Sequence, residues 1–193
     1  MSTPKRIVLG SGKLHLVEFT GSEQIANAAA VIALATDANV LGYIKGGASL
    51  VYTPTFYTAT DDLGVVTKTI ITEEESTLTS GIMTFNAETL NKLSATGRVT
   101  DDATNHTRTL KIGGVGNANN KRYVVIFHHE DKVDGDIYVC IVGNNTSGFT
   151  LAFAKDQETV VDAEFRAQAQ DDDGTLIMYI EKEPTASQAA GQG

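Results

Sequence analysis

Side chains that could bind a metal or act as a base are densest at His128-His129-Glu130-Asp131. Tyr123 to Phe127, directly before them, alternate in a way that predicts a strand leading into the two histidines. Adjacent side chains on a strand point to opposite faces, so the two imidazoles do not converge on one ion. His15 and His106 stand alone, without a Ser, Cys or carboxylate partner in a recognisable motif. We therefore interpret all four histidines as strand or surface residues and predict no metal site.

Two acidic runs and one glycine-rich run also lack the layout that chemistry requires. A calcium loop needs oxygen ligands at alternating positions, a central Gly and a terminal Glu, and neither Glu73–Glu75 nor Asp171–Asp173 has them. Gly113–Gly116 does not end in Gly-Lys-Ser/Thr as a phosphate loop would. G-x-S-x-G, H-E-x-x-H and C-x-x-C do not occur in the sequence. We predict a protein that is not an enzyme and binds no cofactor.

Composition restricts the partners further. The formal net charge of −9 argues against binding nucleic acid by neutralising phosphates, although an acidic surface beside nucleic acid stays possible. The single cysteine, Cys140, lies in the apolar run 137–142, which favours a buried, inert thiol. The N-terminus has no uninterrupted apolar stretch before a cleavage site, and the run 28–35 is shorter than the ~20 residues of a spanning helix. We expect a soluble protein without a membrane partner.

The longest β-like stretch, Gly42 to Phe85, is the main structural element that the sequence predicts. Residues 48–56 alternate with period 2, and the return from Val65 is rich in Thr, Val and Ile. Pro54 cannot donate to a ladder, so it belongs at an edge or where the strand leaves its sheet. The connecting arm, Tyr57 to Val66, is too long for a tight hairpin turn and suggests contact with another molecule.

Helical signals are few. Residues 87–96 are predicted to form a helix, with Asn86 as N-cap, Phe85 and Leu90 as a hydrophobic staple, and Gly97 as a left-handed stop. The Ala-rich segment 22–39 fits either a helix, with Ser22 as its N-cap, or an extended arm.

Short strands dominate the rest of the chain. Both faces are apolar in 123–129 and in 137–142, whereas 159–170 alternates between an apolar and a charged face. Together with predicted strands at 6–9, 13–19 and 176–180, this pattern indicates a mainly β fold. We predict an antiparallel β-sandwich or split barrel with one flanking α-helix. The expected organisation is N-terminal strands and an arm (1–39), a β domain (40–183) and a disordered tail (184–193).

Several phrases in this order resemble the tail tube proteins of long-tailed bacteriophages and prophages of Gram-positive bacteria. They are YIKGGASLVYTPTFYTATDDLG, TIITEEESTLTSGIMTFNAETLNKL, KIGGVGN, YVVIFHHED and GDIYVCIVGNNTSGFTLAFAKDQETVVDAEFRAQAQDDDGTLI. The resemblance extends over roughly Leu41 to Glu181. It rests on segment order and on phrases such as GGASLVYTP and FAKDQETVVDAEF.

The resemblance implies a subunit that forms six-membered rings, whose strands join in one inner barrel and which stack into a tube that carries DNA. The implied partners are further copies of the chain, the tape measure, tail terminator and distal tail proteins, and double-stranded DNA that passes without tight binding. The implied location is the virion tail, after synthesis in the host bacterial cytoplasm.

Two sets of residues are candidates for these roles. The candidates for contacts between rings are Tyr52, Pro54, Phe56, Tyr57, Asp61, Asp62 and Leu63. The candidates for an acidic surface facing the lumen are Glu73, Glu75, Asp162 and Glu164, of which the last two fit an outer sheet equally well. An ordinary solvated strand face remains an alternative for all four.

Two other functions fit the sequence. One is the tube subunit of a phage-derived contractile device or bacteriocin. The other is a carbohydrate-binding β-sandwich module, which the absence of Trp disfavours because sugar-binding platforms commonly use exposed aromatic faces.

Overall fold

A computed structural model describes Val8 and residues 10–184. Apart from Val8, the strand predicted at 6–9 lies outside the described residues, as does the tail after Pro184. The strands are β1 (Lys13–Glu18), β2 (Val40–Thr60), β3 (Thr67–Ile82), β4 (Arg98–Asp102), β5 (Thr107–Lys111), β6 (Tyr123–His129), β7 (Asp136–Asn145), β8 (Val161–Gln168) and β9 (Ile177–Lys182). The helices are α1 (Ala28–Leu34) and α2 (Ala87–Lys92), with short 3-10 turns at Ser22–Ile25, Asp37–Asn39 and Val115–Asn117.

Six strands close into an antiparallel barrel. Their order is β6-β1-β2-β3-β8-β7, and β6 pairs with β7 to close the circle. The other edge of β7 is shared, because β8 pairs with Val142–Asn145 while β9 pairs with Asp136–Ile141. β1 was predicted to belong to a separate N-terminal section. It is instead one of the barrel strands and lies between β6 and β2.

The barrel interior takes one set of alternating side chains from each of its strands. Phe165 of β8 is fully buried in this interior cluster, together with Leu16 of β1, Leu78 of β3 and Val125 of β6. On β8 the alternation predicted from the sequence is confirmed, since Val161, Ala163 and Phe165 are buried and the intervening residues are exposed.

A second apolar layer covers the outside of β6, β7 and β9. Val124 and Ile126 of β6 meet Cys140 of β7 there, under Ile25 and Val31 from the segment that contains α1. This layer explains why β6 and β7 are apolar on both faces, as the sequence predicted. Burial raises the pKa of the Cys140 thiol to about 12, which fits the predicted buried cysteine.

The segment 22–39 is helical in its centre rather than an extended arm. Its N-cap is Asn27, whose side-chain oxygen accepts from the amide of Ala30, and not Ser22 as predicted. Ser22 instead begins a short 3-10 turn. The described residues therefore contain two α-helices, of which the sequence predicted one and left the other open as an alternative to an extended arm.

Helix α2 is shorter than predicted. Asn86 caps it through the amide of Thr89, and Phe85 and Leu90 both pack on the interior cluster, as the staple required. The helix ends at Lys92, and the predicted left-handed stop at Gly97 is wrong because its φ is not positive. Gly97 is needed for close packing, since a Cβ there would lie 2.5 Å from Oδ1 of Asn91.

Two turns in the second half of the chain contain glycines with positive φ. These are Gly135, at the β6–β7 connection, and Gly174, at the β8–β9 connection. The sequence analysis missed the hairpin of β4 and β5, which forms a separate two-stranded sheet. The predicted class, a mainly β antiparallel fold with flanking helix, is confirmed.

We predict that Phe165→Ala destabilises the protein by about 3–5 kcal/mol, because it empties part of the barrel interior. Denaturant unfolding measures this change. The matched control is Phe153→Ala, whose side chain is 80% exposed and whose loss is expected to change stability by no more than about 0.5 kcal/mol. Equal effects of the two substitutions would contradict the described core.

Candidate functional site: a free β-ribbon and its acidic face

Most of the β2–β3 hairpin stands outside the barrel. β3 pairs with β8 only over Thr77–Ile82, and β2 pairs with β1 only over Val40–Tyr43. Beyond these limits the two strands pair only with each other, out to Thr60 and Thr67. We call residues 52–75 the ribbon. The arm predicted between Tyr57 and Val66 is thus partly strand, and only residues 61–66 form its loop.

One surface of the ribbon, its apolar face, continues the barrel interior outward. It begins at Leu50, which faces the buried Leu78, and carries Tyr52, Pro54 and Phe56 from alternate positions of β2. Pro54 lies where β2 has a partner on one side only, as its missing amide hydrogen predicts.

A β-bulge changes the register halfway along. Thr55 is opposite Glu73, but Phe56 is opposite Ile71, so Thr72 is the extra residue. Its hydroxyl donates to the carbonyl of Thr55 at 3.3 Å. The bulge places Ile71 beside Phe56 on the apolar face, and Tyr57 beside Ile70 on the opposite one.

The candidate residues for ring contacts therefore divide into three groups. Tyr52, Pro54 and Phe56 share the apolar face, whereas Tyr57 lies on the other surface of the ribbon. Tyr52 donates its hydroxyl hydrogen to Glu74, and this bond is the main cause that raises the pKa of the tyrosine. The third group, Asp61, Asp62 and Leu63, lies at the tip.

Asp61 organises the tip of the ribbon. Its carboxylate accepts from the amide of Val66 at 2.7 Å, and its main-chain amide donates to the carbonyl of Val66 at 3.0 Å. Hydrogen bonds from main-chain amides lower the pKa of Asp61, and the bond from the amide of Val66 has the largest effect. The neighbouring Leu63 is 85% exposed. Asp61 is therefore a structural residue of the loop, and Leu63 presents an apolar side chain at the tip.

All four candidates for an acidic surface share one face of the sheet. Glu73, Glu75, Thr77 and Thr79 occupy every second position of β3 and so point to one face. On the neighbouring strand β8, Glu164 is opposite Thr79 and Asp162 is opposite Gly81. Because directly opposed residues of an antiparallel pair point the same way, these carboxylates form one surface, the acidic face. It is the reverse side of the apolar face.

Two cations in salt bridges partly neutralise the negative charge of the acidic face. Arg166, opposite Thr77, lies 3.2 Å from a carboxylate oxygen of Glu75, and Lys45 pairs with Glu158. In the described part of the chain, Glu73, Asp162 and Glu164 form no salt bridge. The face is therefore net negative.

Sequence reasoning missed three contributors to this site. Ile70 and Ile71 were predicted only as part of a strand rich in Thr, Val and Ile, yet their side chains are 48% and 52% exposed. Their burial depends on how far β8 extends along β3. The sequence pattern of β3 alone does not indicate that length. Arg166 was counted only as one charge of an alternating strand.

The histidines are arranged differently from the prediction in one respect. His128 and His129 do diverge, since His128 stacks on Tyr138 while Nδ1 of His129 lies 2.7 Å from the carbonyl oxygen of Ser11. His15, however, is not isolated, because it is buried with its ring centre 6.0 Å from that of His128. Among the described residues, no group of three or more His, Cys, Asp or Glu side chains is placed to hold a metal ion.

No model of a known protein family matches the chain, and no curated protein matches it. In the part of the chain that the structure describes, no helix has the length and apolar character needed to cross a membrane.

We predict that Asp61→Ala loosens the tip, because it removes the acceptor of the Val66 amide. Amide hydrogen exchange followed by NMR would show several-fold faster exchange at Val66, with the barrel amides unchanged. Asp62→Ala is the matched control and should leave that amide protected.

The pH dependence has a defined sign. Folding lowers the pKa of Asp61, so its contribution is complete above the ordinary value of 3.8 and is lost as the pH falls through the lower folded value. A carboxyl titration with a midpoint above 3.8 would contradict this role.

Proposed function

We propose that the protein is the structural subunit of a phage tail tube, which self-assembles into stacked rings and forms an acidic conduit for DNA. The observation that carries the proposal is the ribbon, two long strands without a third strand or a covering layer in the described subunit. The resemblance of the sequence to tail tube proteins, which covers the ribbon and most of the barrel, supports the same assignment.

The ribbon has the properties of an interface rather than of a finished structure. Phe56, Tyr57 and Ile71 are more than half exposed, at 57%, 60% and 52%. An isolated two-stranded hairpin is marginally stable in water, and exposed apolar patches usually mark contact surfaces. A ribbon of this length therefore favours a partner that covers its side chains.

A second copy of the same chain is the partner we propose. Both edges of the ribbon carry unpaired backbone groups beyond the barrel, and strand pairing between copies satisfies such edges. A contact between the ribbon of one copy and a different surface of the next is heterologous, and such contacts close into rings when the rotation allows it. The six-membered ring and the tape measure, terminator and distal tail partners rest on the resemblance alone.

The acidic face suits a surface along which DNA slides. Its carboxylates repel phosphates, and a protein that neutralises no phosphates gains no affinity from counterion release. Up to the bulge the ribbon has its apolar face on the reverse side, so this part of the sheet offers an apolar surface to protein and a negative surface to the channel; Tyr57 and Ile70 lie on the acidic side only beyond the bulge. We assign the lumen to Glu73, Glu75, Asp162 and Glu164 on this basis.

Negative-stain electron microscopy of the purified protein, before and after concentration, tests the function directly. We expect rings or hollow tubes. A strict monomer at every concentration would contradict the proposal, and binding to glycans by that monomer would favour the carbohydrate-binding module. Tubes that bind a surrounding sheath protein would favour the contractile device.

Shortening the ribbon should abolish assembly without unfolding the barrel. Replacing residues 54–74 by Asn-Gly joins the paired residues Thr53 and Glu75 through a two-residue turn and leaves the β3–β8 ladder intact. The expected product is a folded monomer with an unchanged denaturation midpoint. Tubes of normal appearance from this variant would exclude the ribbon as the coupling element.

A milder pair of variants separates ribbon contacts from general surface effects. Phe56→Ser removes an apolar side chain from the ribbon, and Phe153→Ser removes an even more exposed one outside it. We expect the first to raise the concentration needed for assembly by about tenfold or more, as for a central interface aromatic, and the second to leave it unchanged.

Charge reversal locates the lumen. Asp162→Lys with Glu164→Lys converts the acidic face, while Asp172→Lys with Asp173→Lys makes the same charge change on the β8–β9 turn. In assembled tubes at low salt, we expect only the first pair to retain double-stranded DNA. Equal retention by both pairs would show that the lumen lies elsewhere.

A further inference from the structure

The outer layer of the barrel is fastened at one end by a buried histidine. His15 projects from β1 on the side away from Leu14 and Leu16, which point into the barrel. Its Nδ1 lies 3.0 Å from the carbonyl oxygen of Thr36, just after α1. A carbonyl only accepts, so Nδ1 carries the hydrogen and Nε2 presents a bare lone pair.

Within the described part of the chain, the other ring nitrogen of His15 has no acceptor to which a hydrogen could be donated. Its Nε2 is buried and has no hydrogen-bond partner among the described residues. Protonation would create a buried donor without an acceptor, together with a positive charge in an apolar layer, and both are costly. Burial, the largest cause, already lowers the pKa of His15.

The charged surroundings do not offset this cost. Lys13 on the same strand and His128 on β6 disfavour a charge on His15, whereas the hydrogen bond to the carbonyl of Thr36 and, more weakly, Asp37 favour it; burial is the largest effect, and the pKa is lowered overall. His128 differs, because Asp136 lies 3.5 Å from its Nε2 and Glu130 lies 4.0 Å from its Nδ1. The titratable and charged groups around the pair are Lys13, Asp37, Glu130, Asp136 and Tyr138.

We propose that His15 is a proton-sensitive latch, through which mild acid detaches residues 22–39 from the barrel and uncovers its outer apolar layer. Nδ1–H donates to the carbonyl of Thr36 in either protonation state, but only neutral His15 is compatible with the buried, unpaired Nε2 when α1 is seated. The charged form is disfavoured in the closed state and is hydrated in the open state, so acid shifts the balance toward opening. The barrel interior lies on the other side of β1 and stays closed.

The single cysteine provides a direct readout. Cys140 is fully buried in the outer layer under Ile25 and Val31, so it becomes accessible when residues 22–39 lift away. Modification by 4,4′-dithiodipyridine, which reacts with thiols in acid, reports opening when each rate is divided by that of the urea-unfolded chain at the same pH. No cysteine needs to be introduced or removed.

The test compares three proteins at about pH 7.5 and about pH 5, on either side of the ordinary histidine pKa. In the wild type we expect the normalised rate to rise about tenfold for each pH unit by which folding lowers the pKa of His15, up to a limit of about thirtyfold at pH 5. His15→Asn keeps a donor near the Nδ1 position but does not titrate, so its rate should stay flat. His106→Asn is the matched control, since His106 is exposed with φ 53 in the β4–β5 turn, and should behave as the wild type.

A flat wild-type rate, or an equal rise in His15→Asn, would overturn the proposal. If His15→Asn leaves Cys140 open at both pH values, hydrogen exchange of the wild type decides. Selective loss of protection at the Val31, Ala35 and Asn39 amides in acid supports the latch, because their acceptors lie within the segment. Loss that extends equally to the β6 amides would mean global unfolding and overturns it.

Discussion

The pairing of β6 with β7 is the constraint on which the rest of the structure depends. It turns a seven-stranded sheet into a closed barrel and forces both strands to be apolar on two faces. One face fills the interior around Phe165, and the other needs a separate cover, which α1 supplies. The position of the helix, the burial of Cys140 and the environment of His15 all follow from this one closure.

Closure also determines where the sheet ends. Six residues of β3 complete the barrel against β8, and the remaining residues of this strand extend past it together with β2. Up to the β-bulge at Thr72 the pleat continues, so the alternation that separates interior from solvent in the barrel becomes an apolar and an acidic surface in the ribbon. In the proposed tube subunit, this stretch of strand pairing presents different chemistry to protein and to DNA.

The sequence predicted the elements whose signal is local. Alternation on β8, two-sided apolarity of β6 and β7, the Asn86 cap and the Phe85–Leu90 staple each depend on neighbours in the chain. The acidic face could be suggested, because Glu73, Glu75, Asp162 and Glu164 each lie at alternate positions of a strand. Their union on one surface depends on the β3–β8 register, which is a long-range property.

The errors have the same physical origin. Gly97 was assigned a left-handed conformation because glycine often ends helices, but here its lack of a side chain admits Asn91. His15 was judged isolated because its partners, Thr36 and His128, are distant in sequence. The exposure of Ile70 and Ile71 could not be predicted from β3, since it depends on where another strand stops.

The placement of Pro54 and the three consecutive glutamates has a consequence for the free subunit. Long exposed strands with apolar side chains are prone to indiscriminate cross-β stacking, and proline and like charges interrupt it. Pro54 is paired with Glu74, so both interruptions occur at the same level of the hairpin, between apolar residues at its base and apolar residues toward its tip. A proline and like charges thereby separate the apolar residues at the base of the hairpin from those toward its tip, and this separation opposes strand stacking between free copies.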